Sequence, residues 1–210
     1  MTRLFMIALC GVLVFALPAL STDLAVSLSG FSVSMEHLNT LIEEFDPDTE
    51  LGLSPLRTGA SAEVSGTLLS LGDIGSIGLG GRGLLVREVS RDVSINASMI
   101  VLFAQGEVAL GRWVAIIDAG ACYGVFSFPA ARLASLSGFG IGLVGRAGYR
   151  LPVSERFGLT FDLGLQWLSV PEMKDATGQR YRGRGTPFMD FSGISASIGL
   201  TWMIEERSNE

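Results

Sequence analysis

The chain has 210 residues, of which 48% are hydrophobic and only 17% charged; ordinary soluble domains carry about 25% charged residues. A net charge of −6 argues against general nucleic-acid binding, which relies on clustered Lys and Arg. One histidine and two cysteines cannot supply a usual metal-ligand set, so no metal or other cofactor is expected.

The first segment reads MTRLFMIALCGVLVFALPALSTD. Arg3 forms a short basic region, Leu4 to Leu20 an apolar run, and Ala19-Leu20-Ser21 a small-x-small cleavage site, so residues 1–21 are expected to be a secretory signal peptide. Cys10 falls within that leader, which leaves Cys122 alone and no intramolecular disulfide for an exported chain. No later run reaches the ~18 apolar residues of a spanning helix. A membrane protein without such helices must be a closed β-barrel, because lipid cannot satisfy open backbone groups.

Alternation with a period of two begins directly after the leader. Leu24, Val26 and Leu28 are followed by Phe31, Val33 and Met35, a change of parity that predicts a bulge at Ser29-Gly30 in a first strand over 24–35. Next comes a helical pattern: Leu38, Leu41, Ile42 and Phe45 predict a short amphipathic helix from Glu36 to Phe45, with Glu43 and Glu44 on its polar side. A second strand over 58–70 has Ser61, Glu63, Ser65 and Thr67 on one face, and a third over 75–88 has Gly78, Gly80 and Arg82. In the fourth, 92–108, Val93, Ile95, Ala97, Met99, Val101 and Phe103 oppose Ser94, Asn96 and Ser98. In the fifth, 113–127, Trp113, Ala115, Ile117, Ala119, Ala121, Tyr123 and Val125 oppose Asp118, Gly120, Cys122 and Gly124. Strands over 138–151, 157–169 and 188–204 follow, with Arg146, Arg150, Asp162 and Gln166 on the polar faces of the sixth and seventh.

Eight strands, each at least as long as the ~9–11 residues a tilted strand needs to cross a bilayer, suit a bacterial outer-membrane barrel. The connections support it. Short turns at 71–74, 111–112 and 152–156 alternate with longer segments at 36–57, 128–137 and 170–187, although 89–91 is short. Reading the apolar faces outward puts Glu63, Arg82, Asp118, Arg146, Arg150, Asp162 and Gln166 inside a narrow barrel, where the charges must pair, Glu63 with Arg82 on adjacent strands. The reverse orientation sends each Arg into lipid at about 2–4 kcal/mol. A soluble, lipocalin-like barrel would have to coat its outside with glycine and serine. Trp113, Tyr149, Phe157 and Trp202 fall near one set of strand ends and Tyr123 and Trp167 near the other, as membrane-interface belts do.

On this strand count, alternation and loop asymmetry, the chain from Thr22 to Ile204 resembles the small outer-membrane barrels of the OmpA membrane-domain and OmpX type. The resemblance implies an all-β, eight-stranded antiparallel up-and-down transmembrane barrel over 22–204, preceded by the leader 1–21 and followed by a polar tail, 205–210. It implies residence in the bacterial outer membrane with both mature termini periplasmic. The implied partners are membrane lipid and the export and barrel-assembly machinery, with no nucleic acid; no extracellular ligand is named by the residues. One departure concerns assembly, because Trp202-Met203-Ile204 is followed by a charged tail rather than by a terminal aromatic.

Functional motifs are scarce. GLGGRG at 78–83 and GIGLVG at 140–145 match G-x-G-x-x-G, but neither opens a helix after a strand. His37 with Ser34 or Glu36 is the poor inventory a lipid-acting hydrolase would have to use. The acidic residues of the first long loop and the basic Arg180, Arg182 and Arg184 of the last one belong to loops made neighbours by barrel closure. Either the two attract and cover the mouth, or each is solvated independently, exposed pairs being worth only ~0–1 kcal/mol. The expected role is structural or surface interaction with no enzymatic activity and an interior largely filled by side chains. A narrow pore lined by Glu63, Arg82, Asp118, Arg146 and Asp162 is the alternative, and a lipid-modifying enzyme the third reading.

Overall fold

A computed structural model of the chain describes residues 23–46, 53–90, 93–131, 133–183 and 185–203. The expected signal peptide, the tail 205–210, Ile204 and Arg184 lie outside the described residues. The described part is one closed antiparallel barrel. Its staves are β1 (Asp23–Ser32), β2 (Thr58–Ser70), β3 (Gly75–Ser90), β4 (Val93–Leu110), β5 (Trp113–Phe128), β6 (Leu133–Pro152), β7 (Phe157–Val170) and β11 (Gly193–Met203). Each pairs with the next, and the ring shuts where β11 pairs with β1, Asp23 opposite Met203 and Phe31 opposite Ser195. Both described chain ends therefore lie at one end of the barrel, together with the turns at 71–74, 111–112 and 153–156. This is the turn end. Gly72 and Gly111 take left-handed φ values of 69° and 66° there, which glycine adopts without steric cost.

The opposite, helix end carries the predicted helix, α1 (Glu36–Phe45). Its apolar stripe is seated inward, with Leu38 and Ile42 buried and Phe45 set edge-on to Phe128 at 4.9 Å. The last long connection adds three short strands, β8 (Glu172–Lys174), β9 (Arg180–Arg182) and β10 (Met189–Asp190). The β8–β9 hairpin attaches to β6 at Ser137 and β10 attaches to β7.

The wall toward the turn end follows the expected parity. Ile77, Leu79, Ile117, Ile141, Leu143, Phe161, Leu163, Leu165, Ile198, Leu200 and Trp202 are exposed, while Glu63, Arg82, Asp118, Arg146, Asp162 and Gln166 are buried. Toward the helix end the polarity inverts. Ile95, Ala97, Met99, Val101 and Phe103 of β4 are at most 4% exposed and point into the barrel, and Ser94, Asn96 and Ser98 face out. The expectation that this apolar run faces lipid is therefore overturned. The reason is local: the interior changes from ionic to apolar along its axis, so an inward face changes chemistry without changing parity.

The same cause removes the expected bulge in β1. Register runs unbroken from Asp23 to Phe31 against both neighbours, and Phe31 is an inward residue of the apolar layer. Residues 33–35 leave the strand, and Met35 turns the chain into α1 with φ 21°. Register shifts occur instead between Thr67 and Leu69 and between Phe126 and Phe128. The sixth strand starts at Leu133 rather than 138, so the 128–137 loop shrinks to a short connection. The last strand starts at Gly193 rather than 188, because Phe188, Met189 and Phe191 enter the core.

Large inward side chains need small neighbours. A Cβ on Gly80 would lie 2.4 Å from the Phe103 ring and 2.8 Å from the Val64 carbonyl, so glycine there makes room for the phenyl group. Because Met99 is 1% exposed inside the apolar layer, Met99→Ala should cost about 2–5 kcal/mol in urea unfolding from lipid vesicles. Ser98→Ala, on the outer face, should change it by less than ~0.5 kcal/mol.

Candidate functional site

The ionic cluster inside the barrel takes one side chain from each of five strands, β2, β3, β5, β6 and β7. Cross-strand register places Glu63 of β2 directly opposite Arg82 of β3, and the expected pair forms through Arg82 Nε donating to Glu63 Oε2 at 2.7 Å. Arg82 Nη2 also donates to Glu63, and reaches Asp118 Oδ2 of β5 at 3.1 Å. Arg146 of β6 closes the set: its Nη2 lies 2.9 Å from Glu63 Oε1 and 2.8 Å from Asp118 Oδ2, and its Nη1 lies 3.7 Å from Asp162 Oδ1 of β7. All five charged side chains are at most 8% exposed. Guanidinium is suited to this role because its planar fork engages several carboxylates at once.

Neutral groups complete the network. Gln105 donates to Asp118 Oδ1 at 3.1 Å, and Ser197 Oγ donates to Asp162 Oδ1 at 2.5 Å. The Arg82 guanidinium carbon sits 5.7 Å from the Phe103 ring centroid, where the ionic layer meets the apolar one. Nearer the turn end, Arg150 Nη2 contacts both carboxylate oxygens of Glu107, at 3.0 and 2.9 Å. Gln166 stands apart from the ions and donates to the Phe191 carbonyl at 2.8 Å, tying the last loop to β7.

Gln105 and Glu107 were not among the expected interior residues. For both the signal was present. They continue the odd-numbered face of β4, so turning that face to lipid would have placed a carboxylate in hydrocarbon.

Above the ions, the apolar layer seals the barrel. Phe126, Phe128, Leu168, Val170, Met173, Met189 and Phe191 are fully buried beneath α1. Of the two alternatives for the first and last long loops, no ion pair between them is present among the described residues: Arg180 and Arg182 pair with Glu172 of their own hairpin, at 3.6 and 2.8 Å, rather than with Glu43 or Glu44. The hydrogen bond from Arg182 holds the Glu172 carboxyl below its usual range. The two loops meet through apolar contact instead, with His37 edge-on to Phe188 at 5.0 Å. A surface cleft of about 480 Å³ between α1 and the hairpin has Glu36, Glu44, Arg180 and Arg182 on its walls.

The outer aromatics fall in two groups. Trp113 meets Tyr149 at 5.3 Å and Phe157 stacks on Trp202 at 6.1 Å, both near the turn end. Tyr123 contacts Phe139 at 4.9 Å farther up, and Trp167 is half-exposed on β7.

No protein-family model matches the chain, and no curated protein sequence does. Solved structures do. Neisserial surface protein A superposes with a TM-score of 0.50 at 10% identity, covering 88% of this chain and 98% of that one. Ail, the attachment invasion locus protein of Yersinia pestis, gives a TM-score of 0.41 at 12% identity, with coverage of 87% and 98%. The fold is that of the small eight-stranded outer-membrane β-barrels.

Removing Arg146 leaves Glu63 and Asp118 to share Arg82 and takes from Asp162 the guanidinium 3.7 Å away. Arg146→Ala should therefore cost about 3–5 kcal/mol, the range for stripping one partner from a buried ion network, measured as the shift in the urea midpoint of vesicle-inserted protein.

Proposed function

We propose that the mature chain, freed of residues 1–21, is an integral protein of the bacterial outer membrane with a structural or surface-interaction role. In this reading the turn end and both termini face the periplasm, and α1 and the β8–β9 hairpin face outward. Membrane lipid, the export machinery and the barrel-assembly machinery are its partners, and catalysis is not part of its role.

The supporting observation is the pair of inverted surfaces along β4. From Ile100 to Leu110 the outward residues are Ile100, Leu102, Ala104, Gly106, Val108 and Leu110. Ten residue steps at ~3.4 Å, tilted by ~40°, span about 26 Å, the height of the apolar band on an outer-membrane barrel. Above it, outward Ser94, Asn96 and Ser98 and inward Ile95, Ala97 and Met99 have the polarity of a water-soluble barrel. The membrane therefore ends near Ile100, and the helix-end part of the barrel stands in the aqueous layer. The clustered aromatics are consistent with interface anchoring.

The filled interior favours a non-conducting barrel over a pore. The ionic residues expected to line a channel bond to one another, and the apolar layer above them leaves no polar route onward. Purified protein in planar bilayers should show no steady ion conductance. The same protein should migrate faster unheated than boiled on a denaturing gel and fractionate with outer membranes. Stable unitary currents would favour the narrow-pore reading instead.

A further inference from the structure

Three buried polar atoms of the ionic layer have no protein partner: Arg146 Nε, Thr160 Oγ1 and Arg150 Nε. They come from adjacent strands, β6 and β7, and their residues line one partly open cavity of about 40 Å³ together with Glu63, Glu107 and Asp162. Arg146 and Thr160 are 8% and 7% exposed, so neither atom reaches bulk solvent by side-chain motion alone. A buried N–H or O–H left without a partner costs about 1–3 kcal/mol. Three in one small polar space indicate a ligand that satisfies them.

We infer that this cavity is a water site, and that it forms the closed bottom of a well entered from the turn end alone. Its size suits water. One molecule needs roughly 10–15 Å³ of such volume, so the cavity takes about two or three. Its charge excludes an anion. Five carboxyls face this part of the interior, Asp23 from β1, Glu63 from β2, Glu107 from β4, Asp118 from β5 and Asp162 from β7, against the guanidiniums of Arg82 from β3 and Arg146 and Arg150 from β6. β11 contributes Ser197, Gly199 and Thr201, none of them ionised. With more negative than positive groups, the space favours a neutral ligand that both donates and accepts hydrogen bonds.

The entry follows from shared walls. Arg150 and Thr201 line the cavity and also a larger recess of about 230 Å³ at the turn end, bounded by Asp23, Gly111, Arg112 and Met203. The Arg150–Glu107 pair is thus the partition between recess and cavity. At the other side, the inward residues next above the ions are Phe103 and Cys122, at 4% and 2% exposure, and behind them lies the whole apolar layer. Water enters past Arg150 and stops at Arg146.

The molecule carries its own control, because Cys122 lies on the dry side of that boundary. A thiol introduced by Thr160→Cys in a Cys122→Ala background should bind Ag⁺, an ion small enough for the partition, about a hundredfold faster than Cys122 in the otherwise unchanged protein. Reaching Cys122 requires local opening of the apolar layer; reaching position 160 does not. Heat-modifiable migration establishes that each variant is folded. Equal rates in two folded proteins would overturn the well. A high-resolution crystal structure of the unaltered protein supplies a second reading that needs no variant. It should contain water density within hydrogen-bond distance of Arg146 Nε and Thr160 Oγ1, and an empty cavity there would overturn the inference. Both readouts are independent of whether the barrel conducts.

Discussion

Arg146 is the point from which the barrel's organisation can be followed. Its guanidinium touches carboxylates from β5 and β7, which flank its own strand, and from β2 across the bore. Isolated charges in a narrow interior are costly, and their mutual attraction compensates only when the geometry is good and the remaining lone pairs are satisfied. Here Arg82, Gln105 and Ser197 provide that satisfaction. Ionic contacts that span the barrel bore suit a wall with only eight strands, and they demand one inward register for each strand that contributes. A slip of one residue would turn a carboxylate or a guanidinium outward into hydrocarbon.

Above this network the chain builds a different kind of barrel from the same strands. β4 is the clearest example, carrying Gln105 and Glu107 and then Phe103, Val101, Met99 and Ile95 along a single inward face. The lower portion solves the problem of a protein in lipid, with ionic groups enclosed and aliphatic ones outside. The upper portion has the polarity of a protein in water, with the two exchanged. α1 and residues 188–191 complete the upper core, which is why the end of the barrel is shut by packing rather than by the opposed loop charges. Glu172 takes up Arg180 and Arg182 at the surface, and His37 and Phe188 make the contact beneath.

Much of the barrel could be read from residue order because lipid imposes a strict alternation. β5, β6 and β7 keep apolar and polar residues on constant faces over most of their length, and their inward Asp118, Arg146 and Asp162 are where the alternation places them. The reading failed where that regularity ended. It assumed one solvent regime for the full strand, so an apolar face had to mean an outward face. Ile95 to Phe103 then pointed the wrong way, and Phe31 looked like the product of a bulge. The loop contacts failed for another reason: Phe188, Met189 and Phe191 have no periodic partner nearby in sequence, and their burial depends on β1 and α1 arriving from the far end of the chain. Alternation puts Thr160 and Ser197 on inward faces, but the groups they meet were illegible, because a hydroxyl announces nothing until its neighbours are known.

The seam between β1 and β11 joins the first and last staves, with α1 following the former by three residues and Phe191 preceding the latter by one. The upper core is consequently stitched from the two extremities of the polypeptide, Phe31, Met35 and Leu38 against Phe188, Met189 and Phe191. Contacts of such sequence separation form slowly, since loop closure must come first. α1 has no side-chain cap at its start and no basic residue in its last turn, and Glu36 in its first turn is the one charge there that favours its dipole. The surface on which α1 rests exists only once the first and last staves have met, so the helix should settle late in folding.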